Sequence, residues 1–134
     1  MKTLMNKKAF RLACTICLVV VMTVTTVFAA SGSLYTASTL KSSSFSLVSG
    51  TATLEWDTGI DHPSDTAEYV VELWQDKLLD SRVYSSGSCY VSSGSTDSGW
   101  DDISVSSGNY YVKVIKKNST YPYTQVLVDW SCYN

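Results

Sequence analysis

The residues of this chain that could do chemistry fall into two stretches. The single histidine, His62, stands in Gly59-Ile60-Asp61-His62-Pro63-Ser64-Asp65, where serine, histidine and aspartate all occur. Acyl transfer by a serine needs the nucleophile on a tight elbow, such as Gly-x-Ser-x-Gly, with an imidazole oriented behind it. No such elbow is present, and a histidine preceding a proline in a turn-rich run is expected at the surface. Asp57, Asp61 and Asp65 recur every four residues, and Asp97, Asp101 and Asp102 gather in a second run. Oxygen clusters on loops hold hard cations such as calcium. The spacing departs from the EF-hand pattern, which needs oxygens on alternate positions and a glutamate at the twelfth. Calcium is therefore the weaker expectation, and aspartates that hydrogen-bond their own backbone in turns the stronger. Carboxylate pairs also serve glycosidases, but only when they flank a cleft, which one small domain scarcely offers.

Aromatic side chains are the other excess, with four tryptophans and nine tyrosines all beyond residue 30. Apolar alternation assigns Trp56, Tyr110 and Trp130 to the core. Trp74, Tyr84 and Tyr111 share faces with the charged residues Glu72, Arg82 and Lys113, which suggests exposure. Exposed rings on a sheet stack on sugars or seat a protein partner. Cross-strand aromatic packing is the plainer account of each one.

The elements that must position these groups follow a leader. Lys2, Lys7, Lys8 and Arg11 precede an apolar run from Leu12 to Val27 and the small-residue end Val27-Phe28-Ala29-Ala30. This is the layout of a cleavable signal peptide, cut after Ala29 or Ala30. The run is shorter than the roughly 20 residues a membrane span needs, and no comparable run follows. Cys14 and Cys17 lie at its front, where neither suits lipid attachment. A secreted chain with a bacterial-looking leader is expected, with residues 1–30 the signal peptide and 31–134 a single domain.

Removing the leader leaves six basic against twelve acidic residues, a net charge of −6. Phosphate-backbone binding needs a basic stripe, so nucleic acid is an unsuitable partner. Lys113, Lys116 and Lys117 cluster only as a solvated strand surface. Cys89 and Cys132 remain, and in an oxidising compartment they are expected to pair. A bridge would close a loop of about 44 residues and contribute about 4 kcal/mol. A zinc site is disfavoured, since two cysteines and one distant histidine fall short of four ligands.

Period-two alternation punctuated by Ser, Gly, Asn and Asp predicts strands throughout. The clearest are Gly50 to Gly59 and Asn109 to Lys117. Glu68 to Gln75 and Leu78 to Tyr84 read as a hairpin about Gln75-Asp76-Lys77. Cys89 to Ser92, Asp102 to Val105, Tyr123 to Tyr133, Leu34 to Leu40 and Phe45 to Val48 complete the set, with Ser92 to Ser98 and the glycosylation-like Asn118-Ser119-Thr120 as hairpin loops. The expectation is an all-β antiparallel β-sandwich or jelly roll of seven or eight short strands.

The stretch Ile103-Ser104-Val105-Ser106-Ser107-Gly108-Asn109-Tyr110-Tyr111-Val112-Lys113-Val114 resembles the late strand pair of bacterial pre-peptidase C-terminal domains. Those are secreted β-sandwiches appended to enzymes, so the resemblance implies a fold and no catalytic residues. The combined expectation is a secreted, non-catalytic module binding a cell-surface or extracellular partner or glycan. A bacteriocin or toxin-like antagonist is the first alternative, and a small hydrolase the next.

Overall fold

A computed structural model describes residues 29–134. The leader assigned to residues 1–30 lies outside the described residues, except for Ala29 and Ala30, which begin the first strand. Ala52, Leu54 and Trp56 point inward from β4 (Gly50–Ile60), while Thr51, Glu55 and Asp57 between them are exposed, as a half-buried strand requires. β5 (Thr66–Asp76) turns Tyr69, Val71 and Leu73 inward and β9 (Gly108–Ser119) Tyr110, Val112 and Val114, while Val70, Glu72 and Tyr111 on their other face are buried as well. β5 and β9 pair along nearly their whole length, from Ala67–Ser119 to Asp76–Asn109. They form the spine of a six-stranded antiparallel sheet.

β2 (Thr39–Lys41) and β3 (Phe45–Leu47) flank β9 on one side; β6 (Ser81–Ser85) and β7 (Cys89–Ser92) flank β5 on the other. The second sheet has four strands, in the order β1 (Ala29–Thr36), β10 (Val126–Tyr133), β4 and β8 (Asp97–Val105). The two sheets face each other across one core that includes Leu54, Tyr69, Leu73, Val112 and Val128. Among the described residues there is no helix, and so none long and apolar enough to cross a membrane.

The sandwich agrees with the alternation; the details differ. Among the described residues there are ten strands rather than seven or eight, and β4, β5 and β9 reach 11, 11 and 12 residues. Leu34 to Leu40 breaks at Ala37-Ser38 into β1 and β2, which belong to different sheets. Leu78 and Leu79, read as the start of a strand, stand in the β5–β6 turn at 101% and 82% exposure. There Asp80 accepts the Lys77 amide at 3.1 Å and sets the turn one step later than expected. The Ser92 to Ser98 loop is no hairpin, since β7 and β8 lie in opposite sheets.

The expected disulfide is also corrected, because Cys89 and Cys132 are both free thiols. Cys132 pairs with Leu54 on β4. Cys89 pairs with Tyr69, whose hydroxyl reaches Asp97, the partner of Thr58. The two cysteines thus stand on different sheets, and their sulfurs are not bonded.

Candidate functional site

One row of residues crosses the inner side of the four-stranded sheet: Gly32 on β1, Trp130 on β10, Trp56 on β4 and Gly99 on β8. Each tryptophan spreads sideways over the glycine beside it. A Cβ on Gly99 would stand 2.2 Å from Cζ2 of Trp56, and one on Gly32 would stand 3.3 Å from Nε1 of Trp130. Glycine is required at 99 by this close approach rather than by a turn. Trp130 meets Phe45 of the opposite sheet at 5.3 Å between ring centroids, and Trp56 meets Tyr84 at 6.3 Å. Both indoles are thereby held flat under the sheet, which fixes the strands above them.

The outer face of this sheet is different in character. Strand alternation brings Glu55 and Asp57 of β4, Asp129 of β10 and Asp102 of β8 to one surface. No lysine, arginine or histidine occurs anywhere in β1, β4, β8 or β10. Asp57 and Asp129 are directly opposed, an arrangement of like charges that costs stability. Hydroxyl groups offset part of it. Ser98 donates to Asp57 at 2.9 Å, Ser33 to Asp129, Thr53 to Asp102 at 2.7 Å and Tyr133 to Glu55 at 2.8 Å. These hydroxyls are spent on the carboxylates, so the face offers a ligand mainly acceptors.

Trp100, the register partner of Glu55, stands beside them at 68% exposure. It walls a hollow of about 450 Å³ floored by Glu55, Asp57, Asp129 and Ser131. A flat apolar ring next to several carboxylate acceptors suits a ligand with an apolar face and many hydroxyl donors at its rim.

The six-stranded sheet bears the opposite charge bias. All six cations of residues 31–134 lie on it or in its β5–β6 turn: Lys41, Lys77, Arg82, Lys113, Lys116 and Lys117. Its outer surface holds two of the rings expected to be exposed. Trp74 and Tyr111 lie parallel to within 5° at 6.3 Å. Lys113 Nζ sits 5.0 Å over Trp74 and Lys41 Nζ 4.8 Å over Tyr111, so each ring already has a cation on its face. Tyr111 is buried and donates to Asp80, and burial followed by that carboxylate pushes its pKa to about 12. Trp74 is half-buried and donates to Glu72, which also takes Arg82 at 2.9 Å. Tyr84 turns inward against the core, with its pKa raised to about 12 by burial and then by Asp101.

The two aspartate sets are dispersed rather than gathered. Asp57 lies on the outer face of the four-stranded sheet. Asp61 accepts the Tyr35 hydroxyl and the Gln125 amide, each at 2.8 Å, and these bonds hold its pKa low. Asp65 is buried under donors from the β9–β10 connection. Asp97 accepts Tyr69 at 2.7 Å, Asp101 adjoins Tyr84 and Asp102 takes Thr53. Among the described residues no three His, Cys, Asp or Glu side chains come together as metal ligands. His62 stacks on Tyr121 at 4.0 Å with its Nδ1 accepting the Ser64 amide, a turn-stabilising role.

Sequence reasoning missed Trp100 as a site residue. Its strand, Asp-Ser-Gly-Trp-Asp-Asp-Ile-Ser-Val, carries Trp100 on one face and Ile103 and Val105 on the other, so no clean alternation announces it.

Two solved structures share the fold. The chain aligns with the structure "CBM4 structure and function" at a TM-score of 0.52 and 9% identity, covering 68% of this chain and 56% of that one. It aligns with the C-terminal family 22 carbohydrate binding module of Clostridium thermocellum Xyn10B at a TM-score of 0.50 and 10% identity, covering 83% and 86%. The likeness is one of fold. This chain spans little more than half the length of the first. No protein-family model matches the chain, and no curated protein matches it.

Proposed function

We propose that this chain is an exported, non-catalytic carbohydrate-binding module whose ligand lies across the outer face of the four-stranded sheet. The observation that carries the reading is the exposed Trp100 ring beside the carboxylate-floored hollow. A pyranose presents an apolar face to the ring and hydroxyl donors to Glu55, Asp57 and Asp129. The family 22 module of similar fold was studied for conserved amino acids in its cleft in ligand binding, which supports a sugar ligand here. A glycosidase would need two carboxylates flanking the scissile bond in a cleft, whereas these stand on an open sheet.

Calorimetric titration with soluble neutral polysaccharides tests the proposal. Trp100→Ala should weaken binding by about tenfold, the upper range of one aromatic contact. Its melting temperature should stay unchanged, because the ring is exposed. Unaltered affinity in the variant would move the site elsewhere, and failure of the unmodified protein to bind any polysaccharide would end the glycan reading. Export rests on the leader, and sequencing the secreted protein should find a new N-terminus at Ala30 or Ser31. A chain still bearing Met1 would refute it.

A further inference from the structure

Tyr35 stands on the same outer face as Trp100, at the opposite edge of the four-stranded sheet. Its row runs through Tyr35 on β1, Leu127 on β10 and Gly59 on β4, two residues along each strand from Ser33, Asp129 and Asp57. With Ile60 and Asp61 these three residues bound a hollow of about 430 Å³. Tyr35 is 48% exposed and Leu127 39%, an apolar corner on a face rich in carboxylates and hydroxyls. Gly59 keeps the corner open: the register of β8 begins opposite Thr58, and a Cβ at position 59 would meet nothing within 4 Å. The Tyr35 ring is exposed and yet pinned. Its hydroxyl donates to Asp61 Oδ2 at 2.8 Å, and Asp61 Oδ1 accepts the Gln125 amide at 2.8 Å, so the ring is held both at its strand and at its tip. A ring fixed beforehand loses little freedom when a ligand stacks on it. Both Asp61 oxygens are engaged, so the hollow offers apolar contact and few hydrogen bonds.

From Trp100 to Tyr35 the face extends over three strand spacings and four residues, about 14 Å by about 13 Å, or roughly 20 Å along the diagonal. Asp57 and Asp129 lie between the two rings. One sugar covers one ring, and a chain that continues past the carboxylates reaches the other. We propose that Tyr35, Leu127 and Gly59 form a second stacking subsite for a further sugar of the same chain, so that the ligand is an extended neutral polysaccharide segment rather than a single terminal sugar. The inference rests on the glycan reading above and adds the length and charge of the ligand to it. Length follows from the diagonal between the rings. Neutrality follows from the absence of any lysine, arginine or histidine in β1, β4, β8 and β10: a uronic acid chain laid along this path sets its carboxylates against Asp57 and Asp129.

Calorimetric titration with xylo-, cello- and manno-oligosaccharides, each from dimer to octamer, tests it. In at least one series the affinity should rise about tenfold between oligomers that cover Trp100 alone and those that reach Tyr35, the upper range of one further aromatic contact. Gly59→Val fills the floor of the hollow and should remove that rise while leaving the dimer's affinity in place. Its melting temperature should not fall, because a β-branched side chain enters open space on a strand that glycine weakens. Tyr35→Ala should remove the same rise. An affinity already complete at the dimer, or a Gly59→Val protein that binds the octamer as the unmodified protein does, overturns the proposal; sensitivity to Trp100→Ala then leaves the glycan reading standing alone. Equal binding of polygalacturonate overturns the neutral ligand. Silence of all three series also overturns the inference, and the titration with whole polysaccharides decides the glycan reading separately.

Discussion

The two thiols of the domain are different chemical species despite their shared side chain. Cys132 is fully buried, and desolvation raises its pKa to about 11, whereas Cys89 is half-buried at the start of β7. The thiolate is the reactive form, so a maleimide reagent should label Cys89 alone in the folded protein and both thiols after denaturation. Absence of label in denatured, unreduced protein would mean a disulfide after all. The expected pairing rested on composition: two cysteines behind an export-type leader invite a bridge, and nothing in the sequence places them on different sheets. Trp74 and Tyr111 were misjudged for a related reason. Their charged neighbours were visible, but the lysines that lie over the rings cover them instead of marking them as free.

At the scale of elements, the sheet depends on each tryptophan finding an empty place on the strand beside it. Gly99→Ala would put a methyl 2.2 Å from the Trp56 ring and should destabilise the domain by about 1–3 kcal/mol, read as a lower urea midpoint. The same change at Gly32 meets Trp130 at 3.3 Å and should cost much less. Equal costs would show that the rings shift freely. The long strands were legible: β4, β5 and β9 appear within a few residues of their expected bounds. Legibility failed where apolar residues serve a turn, as at Leu78 and Leu79, or where a strand has apolar residues on both faces, as in β8. Sheet membership was also out of reach, because alternation reports which side is dry but not which neighbour lies alongside.

For the molecule as a whole, Asp65 ties together two sheet-to-sheet crossings at one end of the sandwich. Its carboxylate accepts the Thr66 amide at 2.7 Å, the Thr120 amide at 3.0 Å, the Tyr121 amide at 3.1 Å and the Thr124 hydroxyl, tying the β4–β5 connection to the β9–β10 connection. Desolvation by burial raises its pKa, but these four donors outweigh that and hold it well below the usual carboxylate range. A depressed folded value means the stabilisation is present above the unfolded pKa of about 3.9 and fades as pH falls below it. Asp65→Asn, which turns a donor toward donors, should lower the melting temperature at neutral pH and flatten its decline in acid. A variant with the unmodified protein's full acid dependence would exclude this role.

The separation of charge between the sheets gives the molecule an electric dipole through its thickness. The sheets lie about 10 Å apart, and their outer surfaces further still, while charge is screened over about 8 Å at physiological ionic strength. A surface approaching the cationic six-stranded side therefore feels little of the acidic one behind it. The acidic sheet around Trp100 is thus the side that a negatively charged surface repels, while a neutral polymer meets no such barrier there.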